Sequence, residues 1–317
     1  MIMPKLGKKL GLLLPMKEGI YGGKTPSGDD VLAMARQCEA IGLDSVWLVD
    51  HFLHEPYADE KAFGHDFPEE WLGRKIGFWE CWTMASAVSV ATQSIEIGTL
   101  VTNTGYRNPA LLAKMANTVD ELSHGRLIFG VGAGDFTSEY HMYGYDWEKR
   151  VGKFEEALKI ITPMLRGEEV SFQGEFYKTV NASVKPHGPN PKGPPVLIGM
   201  LDGGPRMSRL VTTYADHWNC WLVGGRDYDS CLSMIQKACE QHHREIDTLQ
   251  KNAAIGIAMP HATACPPGVK PLSGSPYEIA DRLATLLSKD VDHIVIWLHP
   301  MTPSGLDALE ETLALLD

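Results

Sequence analysis

Eight short apolar runs, each followed by a stretch of helical amphipathic spacing and punctuated by Gly, Pro and Asn, predict an α/β fold: a single (β/α)8 TIM barrel. The runs lie over residues 10–14, 45–49, 95–101, 127–131, 196–200, 217–223, 253–258 and 293–298. Nearly all are continuously apolar, as parallel strands covered on both faces should be. The chain has 317 residues, enough for two ordinary domains. Barrels of this kind run to about 250 residues or more as one domain, so residues 1–317 read as one domain.

The opening MIMPKLGKKLGLLLP is basic and then briefly apolar, without a small-residue cleavage site, and reads as a first strand rather than a signal peptide. Val31, Met34, Ala35 and Cys38 share one face of the first helix, and Leu112, Met115, Val119 and Leu122 one face of the third. Asn108 and Pro109 cap that third helix and Gly125 closes it, while Ser275 and Pro276 open the seventh in the same way. Long loops are expected at the C-terminal strand ends, over 51–77, 132–145 and 260–274, where lids are often found. An insertion over 167–195 precedes the fifth strand, holding the hairpin-like EEVSFQGEFYKTV and the proline-rich KPHGPNPKGPP.

Composition narrows the partners. The chain is 44% hydrophobic and 22% charged, with no apolar run of the roughly 18 residues a membrane span needs. A net charge of −11 repels nucleic acid and anionic membrane, which leaves a small-molecule substrate as the expected partner. Six cysteines without a C-x-x-C pair suit small buried residues of a reducing compartment, so the cytoplasm is the expected location.

In a barrel the chemistry gathers where strands end at their C-termini. WLVDHF ends the second strand and puts Asp50 and His51 at the mouth. A lone histidine is ordinarily structural, but in this position His51 is a candidate proton-transfer group, with Asp50 either orienting the imidazole or capping a turn. His54, Glu55, His65 and Asp66 nearby keep a metal-dependent hydrolase as an alternative, although the first strand ends in LLLPMKEG and brings no histidine. GTLVTNTGYRNP ends the third strand with Thr102, Asn103 and Thr104, polar groups for a ligand or for a turn.

In GRLIFGVGAGDFTSEYHMYG, Gly130 and Gly132 fit the first two positions of a dinucleotide fingerprint, but Asp135 stands at the third and the fingerprint fails. Gly132 and Gly134 instead let a flat ligand approach the backbone, with Asp135 at the same mouth. In MLDGGPRMSRL, Gly203 and Gly204 precede a helix start bearing Arg206 and Arg209, an arrangement able to hold a phosphate; surface arginines are the plainer reading. Trp71, Phe78, Trp79, Tyr140 and Tyr143 read as an aromatic mouth or as core packing.

IGLDSVWLVDHF, FWECWTMASAVSVATQSIEIGTLV, RNPALLAKMANTVDELSHGRLIFGVGAG, the E-x-x-x-YG of residues 139–144 followed by KRVGKFEEALKII, then FQGEFY and YADHWN, together resemble the bacterial luciferase-like monooxygenase superfamily over nearly the whole chain. The resemblance implies a barrel binding a flavin or deazaflavin at the strand mouths. The DHF of residues 50–52 and RNPALLAK look most like the branch that uses coenzyme F420, and FMN-dependent relatives share much of the frame. It further implies that His51 faces the reactive edge of the ring. The ring would rest on a bulge ending the third strand, with a non-proline cis peptide at Leu100–Val101.

Asp135, where many relatives have tryptophan, becomes a second proton-handling group. The cofactor-binding set is then Asp50, Leu100, Val101, Thr102, Asn103, Gly132, Ala133, Gly134, Gly203, Gly204 and Arg206, with no metal. The phosphate-binding lysines of sugar-phosphate dehydrogenase relatives have no counterpart after the sixth strand, where VGGR stands. The expected activity is hydride transfer between coenzyme F420 and a small organic substrate. Alternatives are an FMN-dependent monooxygenase using reduced flavin and O2, a metal-dependent barrel hydrolase, and a non-catalytic flavin-binding barrel. Family habit adds a homodimer through early helices and a separate flavin or F420 reductase.

Overall fold

The computed structural model describes residues 7–56, 61–62, 65–66, 69–200, 204–262, 265–266 and 268–316. Eight parallel strands carry the fold: β1 (Lys9–Leu13), β2 (Ser45–Leu48), β3 (Glu96–Thr99), β4 (Leu127–Gly132), β5 (Val196–Gly199), β6 (His217–Trp221), β7 (Gln250–Ala258) and β8 (His293–His299). They run in the order β5-β6-β7-β8-β1-β2-β3-β4, and pairing of β4 with β5 closes the barrel. Helices α1 (Gly28–Ala40), α2 (Cys81–Ala91), α3 (Pro109–Leu122), α4 (Thr137–Met142), α5 (Arg150–Leu165), α6 (Pro205–Tyr214), α7 (Tyr228–Gln241), α8 (Pro276–Leu287) and α9 (Pro303–Leu313) surround it. Among the described residues no helix is long and apolar enough to cross a membrane.

Local chemistry explains the helix starts. Ser27 and Asp30 form a reciprocal capping box on α1, Ser275 and Glu278 do so on α8, and the Asn108 side chain accepts from the amides of Ala110 and Leu111 at the start of α3. The inward face of α3 keeps Leu112 and Val119 of the expected stripe but adds Ala113 and Ala116 in place of Met115, which is half-buried, and Leu122, which is 38% exposed. Small alanines let the helix lie close to the strands, and they carry less signal in a hydrophobic count than Met or Leu.

The β3 ladder stops at Thr99 rather than reaching Val101, because the chain bulges there. β7 starts three residues earlier than its apolar run, since Gln250, Lys251 and Asn252 are polar; Lys251 is buried and reaches Asp290 at 3.1 Å. The stretch 132–145 is not a plain loop but contains α4. The insertion holds the expected hairpin, Val170–Gln173 paired antiparallel with Lys178–Ala182. Five of the cysteines are buried and Cys265 is partly exposed.

The lower lumen is filled by one large side chain among small neighbours. Trp47 is fully buried, and its indole donates to Ser45 Oγ at 2.6 Å; Ser45 in turn lies 2.7 Å from His293 Nε2. Burial, with Lys9 and His217 nearby, pulls the His293 pKa down to about 3 and keeps it neutral. A β-carbon on Gly98 would lie 2.1 Å from the Trp47 ring, and one on Gly11 2.0 Å from Ser45 Oγ, so both strands need glycine here.

Gly98→Ala should therefore destabilise the protein by about 1–3 kcal/mol through overpacking, seen as a lower thermal midpoint by circular dichroism. Gly28→Ala, at a position with open space around it, should leave the midpoint unchanged, and adding Trp47→Phe to Gly98→Ala should recover part of the loss.

Candidate active site

After Thr99, whose hydroxyl donates to the Gly130 carbonyl at 2.7 Å, the chain leaves the ladder through Leu100 and Val101. That peptide bond is cis, and Thr102 and Asn103 then rejoin β4 opposite Val131 and Gly132. Glycines make the seat. A β-carbon on Gly132 would lie 2.8 Å from Val101 Cγ2, and one on Gly130 would lie 1.8 Å from the Thr99 carbonyl oxygen. At Gly134, with φ +82°, it would meet Asn103 and the Tyr140 hydroxyl. The glycine run thus first accommodates the protein's own bulge, and only then, with Ala133, lines the space in front of it.

A buried ion network fixes that bulge. Arg107 grips Asp50 with both terminal nitrogens, at 2.7 and 2.9 Å, and reaches Glu80 at 2.8 Å. Asp50 also accepts from the Asn103 amide at 2.9 Å. Burial pushes the Asp50 carboxyl up while the guanidinium and the amide oppose it. Glu80 is the N-cap of α2, so the network joins the end of β2, the residues after the bulge and a helix start. Asp50 therefore neither orients His51 nor offers a free carboxylate to a ligand.

The imidazole is oriented by Glu139 on α4. His51 Nδ1 lies 2.8 Å from Glu139 Oε2, and the same carboxylate accepts from the Phe52 amide at 2.7 Å and the Tyr106 hydroxyl at 2.8 Å. Nδ1 donates to this carboxylate, which leaves Nε2 as the nitrogen available for chemistry. Burial works against the Glu139 charge, and His51, Phe52 and Tyr106 outweigh it, so the carboxyl sits below its ordinary range. Burial alone would pull His51 down; Glu139, helped by Asp135 and Asp50, outweighs it and pushes the imidazole up to about 9. The His51 side chain is 22% exposed, to a cavity deep inside the protein, which is why protein charges act on it strongly.

That cavity holds about 570 Å³ and is lined by His51, Asp135, Leu100, Val101 and Asn103, with Gly132, Ala133 and Gly134 beside them. Asp135 opens onto it, and burial in the surrounding protein raises its pKa. Gly204 reaches the cavity edge, whereas Thr102 is buried away from it and Thr104 bonds the Gly132 carbonyl. Gly203 falls outside the described residues. Arg206 lines a smaller neighbouring cleft and is tied to Glu155 at 2.8 Å, as is Arg209 at 2.9 Å, so neither guanidinium stands open for a phosphate in the main cavity.

The aromatic residues divide. Trp71 and Phe78 line the cavity, Tyr140 is core and bonds Asn103 at 2.8 Å, and Trp79 and Tyr143 are exposed. Among the described residues no group of three or more His, Cys, Asp or Glu is placed to hold a metal; the side chains of His65 and Asp66 lie outside them. His54 is buried and pulled down to about 3, and His217 lies at the opposite end of the barrel beside Asp216 and Asp292. Sequence reasoning missed the roles of Glu139 and Arg107, although both stand inside quoted motifs.

Two outcomes follow from these pairs. Arg107→Met leaves a buried charge without its partner and should cost about 3–5 kcal/mol in chemical denaturation; Arg107→Met with Asp50→Leu should recover much of it. The stability carried by the His51–Glu139 pair is fully present below about pH 6.5, the free imidazole value, and is lost as pH rises through about 9. In proton NMR, His51 should titrate near 9, and Glu139→Gln should move it down toward the free imidazole value.

Residues 8–264 match the luciferase-like monooxygenase family. Among curated proteins the chain is similar to the F420-dependent glucose-6-phosphate dehydrogenase of Amycolatopsis mediterranei, 28% identical over 239 residues that span 72% of this chain and 65% of that protein. It is similar also to the phthiodiolone/phenolphthiodiolone dimycocerosates ketoreductase of Mycobacterium tuberculosis, 30% identical over 224 residues, 68% of this chain and 58% of that protein. The matches span less than two thirds of either relative's length. A solved F420-dependent secondary alcohol dehydrogenase in complex with an F420-acetone adduct shares the fold, with a TM-score of 0.74 at 17% identity over 98% of this chain and 99% of that one. A closed eight-stranded barrel with a glycine-seated bulge on the third strand, and a family match over more than three quarters of its length, place the chain in the luciferase-like monooxygenase family.

Proposed function

We propose that the protein is a coenzyme F420-dependent oxidoreductase that transfers hydride between the deazaflavin and a small organic substrate. The observation that carries the reading is His51: an imidazole aimed by a buried carboxylate into the same cavity as the apolar ledge of Leu100 and Val101. The cavity fits a planar ring, for its volume lies in the ordinary range of about 300–1,000 Å³ and its ledge carries no charge. The 28% identical relative named for F420 supports the deazaflavin over FMN.

When bound, the deazaflavin would supply a ring carbon that gives or takes hydride, while the protein contributes binding, orientation and proton transfer. Leu100, Val101 and the stretch from Gly132 to Gly134 would hold the ring. His51 moves the proton: its Nε2 donates to a substrate oxygen in reduction and accepts from a hydroxyl in oxidation. Glu139 keeps the ring of His51 oriented and favours its protonated form, so at neutral pH the residue is ready to donate. Asp135 stands near enough to His51 to add to that field and to face the reacting atoms. Family habit adds to the proposal a homodimer through the early helices and a separate F420 or flavin reductase as redox partner.

Purified protein mixed separately with oxidised deazaflavin and with FMN should bind the deazaflavin more tightly, measured by fluorescence quenching; the reverse order would replace hydride transfer by FMN-dependent oxygenation. His51→Ala should keep the fold and most coenzyme affinity while lowering turnover by about 10²–10⁴-fold, and an unchanged rate would pass the proton role to Asp135. In the oxidation direction, activity should rise with pH along a limb near 9, and Glu139→Gln should shift that limb to lower pH.

A further inference from the structure

On the side of His51 away from the bulge, the cavity carries a cation that proton transfer does not use. Lys17, following β1, lines the cavity, and its Nζ lies 5.0 Å from the centre of the Trp71 ring. Arg74 stands over the same ring at 5.6 Å. Other cations near strand ends are matched by carboxylates: Lys9 by Glu96, Arg107 by Asp50, Lys251 by Asp290, Arg206 by Glu155. Among the described residues no carboxylate pairs with Lys17; the groups whose charge it feels or affects are Arg74, His54 and His299. The His299 Nε2 is buried, again without a hydrogen-bond partner among the described residues.

An ammonium held in a cavity wall without a counter-ion is destabilising unless something else supplies the charge. Burial and Arg74 lower the Lys17 pKa to about 8, so it remains mostly a cation at neutral pH, awaiting an anion rather than serving as a base. Topology separates this corner from the proposed ring seat. β1 lies between β8 and β2, whereas the bulge and its glycine seat belong to β3, β4 and β5. Trp71, Phe78 and Trp297 line the cavity around the Lys17 side with aromatic surface.

We propose that Lys17 binds a carboxylate of the substrate, making the substrate class an organic acid whose apolar or aromatic body lies along Trp71, Phe78 and Trp297. The substrate assignment rests on the oxidoreductase reading above, while the anion site stands on its own geometry. A single ammonium suits a monoanion, and Asp135 in the same cavity disfavours the second charge of a phosphate; the guanidiniums that also line it, Arg150 and Arg226, follow β4 and β6 rather than β1, and Arg150 is turned to the Gly134 carbonyl and the Trp147 ring.

Benzoate and its neutral isostere benzamide serve as probes, titrated into the full chain with tryptophan emission as the readout. Wild-type protein should bind benzoate at least tenfold more tightly than benzamide; Lys17→Gln should erase that preference and Lys17→Arg should keep part of it. Lys17→Gln should also melt no lower than wild type, because it removes a charge that no carboxylate among the described residues matches. Equal affinity for the two probes in wild type, undiminished benzoate binding in Lys17→Gln, or tighter binding of inorganic phosphate than of benzoate would each overturn the proposal. Deazaflavin binding, measured on the same proteins, should be unchanged in Lys17→Gln, and its loss there would assign Lys17 to the coenzyme instead. Failure of wild type to bind deazaflavin, with the benzoate preference intact, would remove the F420-dependent reading and leave the carboxylate site.

Discussion

The pairing of Asp50 with Arg107 is the joint that holds the site together. Both groups are buried, and neither can leave without stranding the other's charge in apolar surroundings. Asp50 immediately precedes His51, and Arg107 follows the bulge, so the pair sets the spacing between the imidazole and the ledge. Two parallel hydrogen bonds from a planar guanidinium fix direction as well as distance, which a lysine in that place would not do. The link to Glu80 extends the same constraint to the first turn of α2, on the outer layer of the barrel.

Around His51 the carboxylates are graded by what already bonds them. Asp50 is engaged by Arg107 and Asn103, Glu139 by His51, Phe52 and Tyr106, and Asp135 opens onto the cavity. The first supports the backbone, the second supports the imidazole, and the third remains available to a ligand. One electrostatic environment thus yields three different functions for acids close together in space, because hydrogen bonding decides which charge is spoken for. Phe78 and Phe136 pack against the His51 ring, keeping the dielectric low where the proton resides.

The barrel was legible in the sequence because strands covered on both faces leave long apolar runs, and because Asn108 with Pro109 and Ser275 with Pro276 mark helix starts by local hydrogen bonding. His51 was legible by position, at the end of a strand. Its orienting partner was not, for Glu139 lies 88 residues away in the chain, and a count of nearby acids favours Asp50 instead. The glycines of β4 signalled a close approach but not of what; the side chain they admit is Val101, from the neighbouring strand end. Arg206 and Arg209 looked open because the acid that engages both, Glu155, sits on α5, across an insertion from them.

The strand ladders are unequal around the barrel. β7 and β8 pair from Asn252 with His293 through to Ala258 with His299, while β3 and β4 pair at Ile97 with Leu127 and Gly98 with Ile128 before the bulge interrupts them. Local opening follows the number of backbone bonds that must break together, so the β7–β8–β1 sector is a keel, while the β3–β4 sector depends on the Asp50–Arg107 pair for its stiffness. The ledge proposed for the ring lies on the β3–β4 sector, Trp297 on the keel, and Lys17 in the segment that follows β1. Adaptation to another planar coenzyme then means resetting the one ion pair that makes up for a short ladder, whereas adaptation to another substrate means recarving strands that their own ladder already holds.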